Sequence, residues 1–289
     1  MRAKIHILRR TWFLSLLITC LSMCPAAAGE KAATTLSVKD NLTSPNQSAA
    51  IEARLVAKGL LMSAGLGGEP LELVVDRKVV ATAMTGGDGK AFLAYTPKAQ
   101  GVVPVQVRVG SSPRVPPAEG QANLAVWERR NPIVAIEMAA LIDEPSLPSP
   151  LPAIGLKLES ERKPMPDAAN EIGKLTQFYY RVIYVVASPA EADGFHASTQ
   201  AREWLKTHKF PTGYVLVLPP GENALGTKID ELHAAGWKTI KTGIGRTKAF
   251  AEAFLQRRLE AVIVPEPAKG EAPRKAKVAK QWKEVRKKL

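Results

Sequence analysis

From Thr35 to Val126 the chain alternates short runs rich in β-branched residues with turn signals. In Val103-Pro104-Val105-Gln106-Val107-Arg108-Val109 every second position is apolar, the pattern of a strand with one buried face. Similar runs predict strands over 35–39, 51–56, 71–75, 79–84, 91–95 and 123–127. Thr85-Gly86-Gly87-Asp88-Gly89 collects residues that accept positive φ and predicts a tight turn. A lone Asp among glycines reads as a turn residue rather than as part of a calcium loop. Short strands at this spacing predict an all-β sandwich.

From Asn131 the period changes. Apart from Glu137, residues 132–138 form a continuous apolar run, as in a strand buried on both faces. A proline-rich loop spans 144–166. Beyond it the pattern predicts a helix over 167–179, a strand over 181–187, a helix over 198–209 and a strand over 213–218. A helix over 225–235, a strand over 239–243, a helix over 247–259 and a strand over 261–264 complete the series. Such alternation implies a Rossmann-like parallel sheet covered on both faces, with its ligand site beyond the carboxyl ends of the strands. The fold class is therefore multidomain: an all-β sandwich followed by an α/β domain.

The two ends of the chain change this picture. Arg2, Lys4, Arg9 and Arg10 precede an uncharged apolar stretch over 12–24, followed by Pro25 and three alanines. That is the pattern of a secretory signal peptide cleaved near Ala28, and the apolar run is short for a membrane span of roughly 20 residues. Export to the periplasm or medium follows. Both cysteines, Cys20 and Cys24, fall within this segment, so the remainder has no thiolate chemistry to offer. Lipidation at one of them is a lesser alternative. The formal charge is +13, and much of it lies beyond Pro265, where nine Lys or Arg face three Glu. Val278, Trp282, Val285 and Leu289 recur at helical spacing there, which predicts a basic amphipathic helix. Its stripe either docks on its own domain or leaves the helix free to meet an anionic lipid or cell-wall polymer. Export argues against nucleic acid as a partner. The expected organisation is residues 1–28 signal peptide, 29–128 sandwich, 129–266 α/β domain and 267–289 basic tail.

Two resemblances add to this reading. Pro70–Asp76, Thr85–Gly89, Ala91–Pro97 and Gly101–Val109 resemble the "PLxLxVD", "TDxDG" and "AFxYTP" stretches and the following strand of bacterial immunoglobulin-like domains. Pro-Met-Pro-Asp-Ala-Ala at 164–169, Tyr-Arg-Val-Ile-Tyr-Val-Val-Ala-Ser at 180–188, and the segment 199–213 with Trp204, Leu205, Phe210, Pro211 and Gly213 form a second set. Together they resemble the haloacid dehalogenase superfamily, in its lipin-like phosphatidate phosphatase branch. That resemblance implies an Asp nucleophile ending the first strand, an Asp acid/base two residues on, a Thr or Ser ending the second strand, a phosphate-holding Lys, and later acids for Mg²⁺.

The implied positions hold other residues. Aligned on Leu141, the nucleophile position is Ile136, the acid/base Met138 and the Thr position Ala140. Val186 stands for the second-strand Thr, and Ile244 and Lys248 stand for the later acids. A lysine repels the cation such a site should hold. Glu137 is the nearby acid, but one residue along a strand turns a side chain to the opposite face. Ser188, Lys228, Arg246 and Lys248 are candidates for binding an anion, the last two near a helix N-terminus; each also reads as an ordinary loop or surface residue. No metal-ligand pair of histidines, nucleophile elbow or phosphate-binding glycine loop occurs. The expectation is an exported, non-catalytic, pseudophosphatase-like binding or scaffold protein of the cell envelope, without a cofactor. The alternative is a Mg²⁺-dependent phosphatase with a rebuilt site.

Overall fold

In the computed structural model, residues 33–58, 63–143, 162–177, 180–188 and 194–289 are described. The expected signal peptide, 1–28, and most of the proline-rich loop lie outside them.

The alternating runs form a two-sheet sandwich. In the first sheet, β3 (Ala49–Lys58) pairs antiparallel with β1 (Thr34–Val38), β4 (Ser63–Gly65) and β7 (Lys90–Tyr95). The second has the order β2-β9-β8-β5-β6: β2 (Asn41–Thr43), β9 (Glu119–Val126), β8 (Gly101–Val109), β5 (Pro70–Val75) and β6 (Lys78–Met84). β2 runs parallel to β9 and the other pairs are antiparallel, so the first part of the chain crosses from one sheet to the other, as in immunoglobulin-like sandwiches. Alternate residues such as Val38, Leu55, Leu71, Leu73, Leu93, Val107 and Leu124 fill the space between the sheets. The short β2 and β4 carry too few residues to show a period, and sequence patterning misses both. Asp88 Oδ1 accepts the Lys90 N–H at 3.0 Å, which closes the predicted turn. Gly89 has φ +77° there, where a Cβ would collide with the Leu55 carbonyl.

The second half is a six-stranded parallel sheet. Its strands are β10 (Ile133–Glu137), β11 (Arg181–Ala187), β12 (Tyr214–Leu218), β13 (Ile240–Gly245), β14 (Glu260–Ile263) and β15 (Lys277–Val278), in the order β12-β11-β10-β13-β14-β15. The chain grows outward from β10 in one direction and then, after β12, in the other. The switch point lies between β10 and β13. Residues alternate between two apolar layers. Val134, Ile136, Val182, Tyr184 and Ile244 face α1 (Ala168–Gln177), α2 (Gly194–Thr207) and α5 (Trp282–Val285). Ile133, Ala135, Ile183, Val185 and Ile263 face α3 (Ala224–Ala234) and α4 (Lys248–Leu255).

The corner between α2 and β12 explains the segment 199–213. Trp204 stacks on Phe210 with ring centroids 5.3 Å apart and donates Nε1–H to the Arg162 carbonyl at 3.0 Å. At Gly213 a Cβ would stand 2.5 Å from the Val182 carbonyl, so the chain enters β12 against β11 only without a side chain. Trp204, Phe210 and Gly213 of this segment are thus packing residues.

One buried ion pair joins the two halves. Asp40, between β1 and β2, has a fully buried side chain, and Arg202 of α2 donates to its Oδ1 at 2.8 Å. Asp40 also accepts the N–H of Asn123 at 2.8 Å and of Val215 at 3.0 Å. Val215 lies on the edge strand of the parallel sheet, so this carboxylate satisfies an edge N–H that would otherwise be open. Arg202 Nη2 further donates to the carbonyls of Val38 and Gln121. Burial pushes the Asp40 carboxyl up from its usual range, while Arg202 and the two backbone N–H groups pull it back.

The tail follows the docked alternative, with a shorter helix than the pattern predicts. β15 extends the sheet, and Ala279, Trp282 and Val285 are buried in the layer shared with α1 and α2. The predicted helix shortens to one turn, and the apolar stripe faces inward against its own domain. Among the tail residues, Arg274, Lys275, Lys280, Arg286, Lys287 and Lys288 are exposed. The tail therefore completes the α/β domain instead of standing apart as 267–289.

Arg202→Leu leaves Asp40 buried without its cation. Urea unfolding is expected to show a loss of about 3–5 kcal/mol, partly recovered when Asp40→Asn removes the stranded charge. Trp282→Ala is expected to cost about 3–5 kcal/mol by the same measurement, as for a core aromatic residue.

Candidate functional site

In an open parallel sheet the crevice for a ligand forms at the switch point, outside the carboxyl ends of the strands. Here those ends belong to β10 and β13. Strand alternation decides what each presents. Residues 133, 135 and 137 share the face toward α4, whereas Ile136 lies in the layer toward α1 and α5.

Glu137 ends β10 and turns its carboxylate onto the start of α4. Its Oε2 accepts the N–H of Arg246 at 2.7 Å and of Thr247 at 2.9 Å. Its Oε1 accepts the Thr247 hydroxyl at 2.6 Å. Thr247 is the N-cap of α4, and its Oγ1 accepts the Phe250 N–H at 3.2 Å. A negative charge is favoured at this end of a helix by the unpaired N–H groups and the helix dipole. The protein's own carboxylate supplies that charge.

The glycines before the helix make this arrangement possible. A Cβ on Gly245 would stand 2.7 Å from Glu137 Oε2 and would collide with the Phe250 ring. On Gly243 it would stand 2.6 Å from the Phe254 ring. Gly243-Ile244-Gly245 therefore lets α4 lie close on the sheet, which is a packing role.

The other side of the switch point is apolar. Ile136, Ala140 and Ile244 are fully buried, and Met138 and Val186 pack against them. Trp282 of the tail lies in the same layer and donates Nε1–H to the Ala140 carbonyl at 3.0 Å. Of the positions where the family resemblance implies carboxylates, Ile136 and Ile244 belong to this hydrophobic core and Met138 packs against it, whereas Lys248 is exposed on α4.

The candidate anion-binding residues have local roles. Lys228 pairs with Glu231 at 2.8 Å on its own helix, and Lys248 with Glu252 at 3.7 Å on its own. Arg246 gives its backbone N–H to Glu137 and approaches Met165 Sδ with Nη2 at 3.6 Å. Ser188 is buried and donates its backbone N–H to the Leu218 carbonyl at 3.2 Å. Among the described residues no group of three or more His, Cys, Asp or Glu side chains is arranged to hold a metal ion. The Glu137–Thr247 contact itself was not read from the sequence. A Thr opening a helix after a Gly-rich strand end was its available signal.

No family model matches the sequence, and no curated protein matches it. Among solved structures, the chain is similar to D,D-heptose 1,7-bisphosphate phosphatase from B. bronchiseptica, complexed with magnesium and phosphate. The identity is 14% and the TM-score 0.41, over 55% of this chain and 97% of that one. The corresponding phosphatase from Burkholderia thailandensis gives 12% identity and a TM-score of 0.36, over 52% of this chain and 93% of that one. The titin M3 domain gives 14% identity and a TM-score of 0.24, over 34% of this chain and 99% of that one.

Glu137→Gln removes the charge and sets an amide N–H₂ against donors. We expect a stability loss of about 1–3 kcal/mol in urea unfolding. Thr247→Ala, which removes the cap, is expected to cost about 1 kcal/mol by the same assay.

Proposed function

We propose that this is an exported, non-catalytic binding or scaffold protein of the cell envelope, whose α/β domain is a haloacid-dehalogenase-like pseudophosphatase. The observation that carries the reading is the closed switch point. A carboxylate that accepts three hydrogen bonds at the start of α4 has three of its about four lone-pair sites directed at those donors, which ties both oxygens to the helix start. An attacking carboxylate needs a free oxygen aimed at phosphorus and a cation to offset the charge of its target. The neighbouring positions Ile136, Met138, Ala140 and Ile244 supply apolar packing instead of metal ligands.

Export rests on the basic and apolar pattern of residues 1–28. Partners remain those suggested by charge. The exposed basic residues of the tail suit an anionic lipid or cell-wall polymer, met through charge alone because the apolar stripe is buried. No cofactor belongs to this reading.

The test is a phosphatase assay on the purified protein with Mg²⁺, using an aryl phosphate and phosphatidate. The expected result is no turnover above that of Glu137→Gln, both proteins showing a cooperative thermal transition. Turnover that EDTA abolishes, and that is lost in a folded Glu137→Gln, would overturn the proposal.

A further inference from the structure

Among the described residues four large hydrophobic side chains are exposed: Val79, Val80 and Met84 on β6, and Phe92 on β7. Three of the four thus belong to one strand, and that strand is the last of its sheet. Among the described residues β6 pairs with β5 on one side and with no strand on the other. Apolar groups exposed singly need no explanation, whereas a cluster of them marks a contact surface. Open edges are ordinarily protected by charge, above all by lysine. Between Lys78 and Asp88 this chain carries no charged residue.

The backbone shows which groups are open. Thr85 donates its N–H to the Glu69 carbonyl at 2.9 Å and accepts the Gly68 N–H at 2.8 Å. Alternation along an antiparallel ladder then turns Ala83 and Ala81 toward β5, and turns the N–H and C=O of Thr82 and Met84 outward. Ala81 and Ala83 pack on the sandwich core, so the side chains of Thr82 and Met84 lie on the outer face. A bulge at Val80, between the pairs Leu73–Ala81 and Val74–Val79, ends the regular edge there. The open segment is short, residues 81–84, and its chemistry is that of a template for another extended strand.

We propose that the occupant is β6 of a second copy, paired antiparallel across a two-fold axis at Ala83. In that register Thr82 of each copy lies opposite Met84 of the other, and each pair exchanges both backbone hydrogen bonds. The charges that flank the strand select a copy of itself. Exposed Arg77 and Lys78 open the strand, and exposed Asp88 follows it, meeting its own Lys90 only at 3.8 Å. Antiparallel pairing carries the basic end of each strand toward the acidic turn of the other, and brings Asp76 toward the partner end that bears Lys90. Parallel pairing would set like charges together. The contact uses the sandwich alone, so it stands whether or not the α/β domain is catalytic.

The experiment is sedimentation velocity on the purified protein from about 10 µM to about 500 µM, the range suited to so short an edge. Amide exchange followed by NMR accompanies it. Monomer is expected to give way to dimer, and the Thr82 and Met84 amides to exchange more slowly as dimer forms. Thr82→Pro removes an outward N–H and no bond to β5; Met84→Lys places a cation on the edge. Each is expected to weaken dimerisation roughly tenfold or more. Lys78→Glu, which sets like charges at both ends, is expected to weaken it about threefold. Thermal melting establishes that each variant is folded. A monomer throughout the range would overturn the proposal and leave the edge to an extended segment of another protein. A dimer that Thr82→Pro leaves intact, or in which the Thr82 and Met84 amides stay unprotected, would overturn it by placing the contact elsewhere.

Discussion

The buried carboxylate of Asp40 is where the two halves of this protein become one structure. It lies in a turn of the sandwich, yet it is held by a guanidinium from α2 and by an N–H of the edge strand β12. A buried charge of this kind adds little net stability, because desolvation offsets much of the attraction. Its geometry, however, leaves few alternatives. Three groups drawn from both halves converge on two oxygens, and β9, β12 and α2 are fixed relative to the turn after β1 by that convergence. Tyr214, next to Val215, feels the same charge: burial raises its phenol pKa and Asp40 raises it further.

Once β12 is anchored in this way, the two ends of the parallel sheet have different fates. At the amino end the sandwich closes over the strands incompletely and leaves a cavity beside Trp127 and Arg181. At the carboxyl end, where such sheets usually open to a ligand, the chain fills the space itself. Alternation along β10 sends Glu137 to one face, onto the N-terminus of α4, and Ile136 to the other, into the apolar layer that Trp282 completes. An internal carboxylate and an indole ring thus occupy the two sides of the switch point.

The basic tail shows how one stretch of sequence can serve two surfaces. Its apolar residues belong to the core, and its lysines and arginines remain outside. Two of those cations pair with acids of the same domain, Lys277 with Glu260 and Lys283 with Asp167. Exposed pairs of this kind contribute little to stability. The remaining charge is available to steer an anionic partner over distances comparable to the screening length.

The sequence by itself determined the two halves, their order and most of their elements, because side-chain period reports directly on burial in strands and helices. The run 103–109 and the strand 181–187 are examples. It also determined that the acidic positions implied by the family resemblance are apolar or cationic, since that requires only reading them. What Glu137 touches, where Trp282 lies and how Asp40 reaches Arg202 were decided by tertiary structure. The contact from Asp40 to Arg202 spans 162 positions, and that from Glu137 to Thr247 spans 110. No local period encodes such distances. The cavity beside Trp127 and Arg181 belongs to the same class: it exists only where layers from distant parts of the chain fail to fill the space between them.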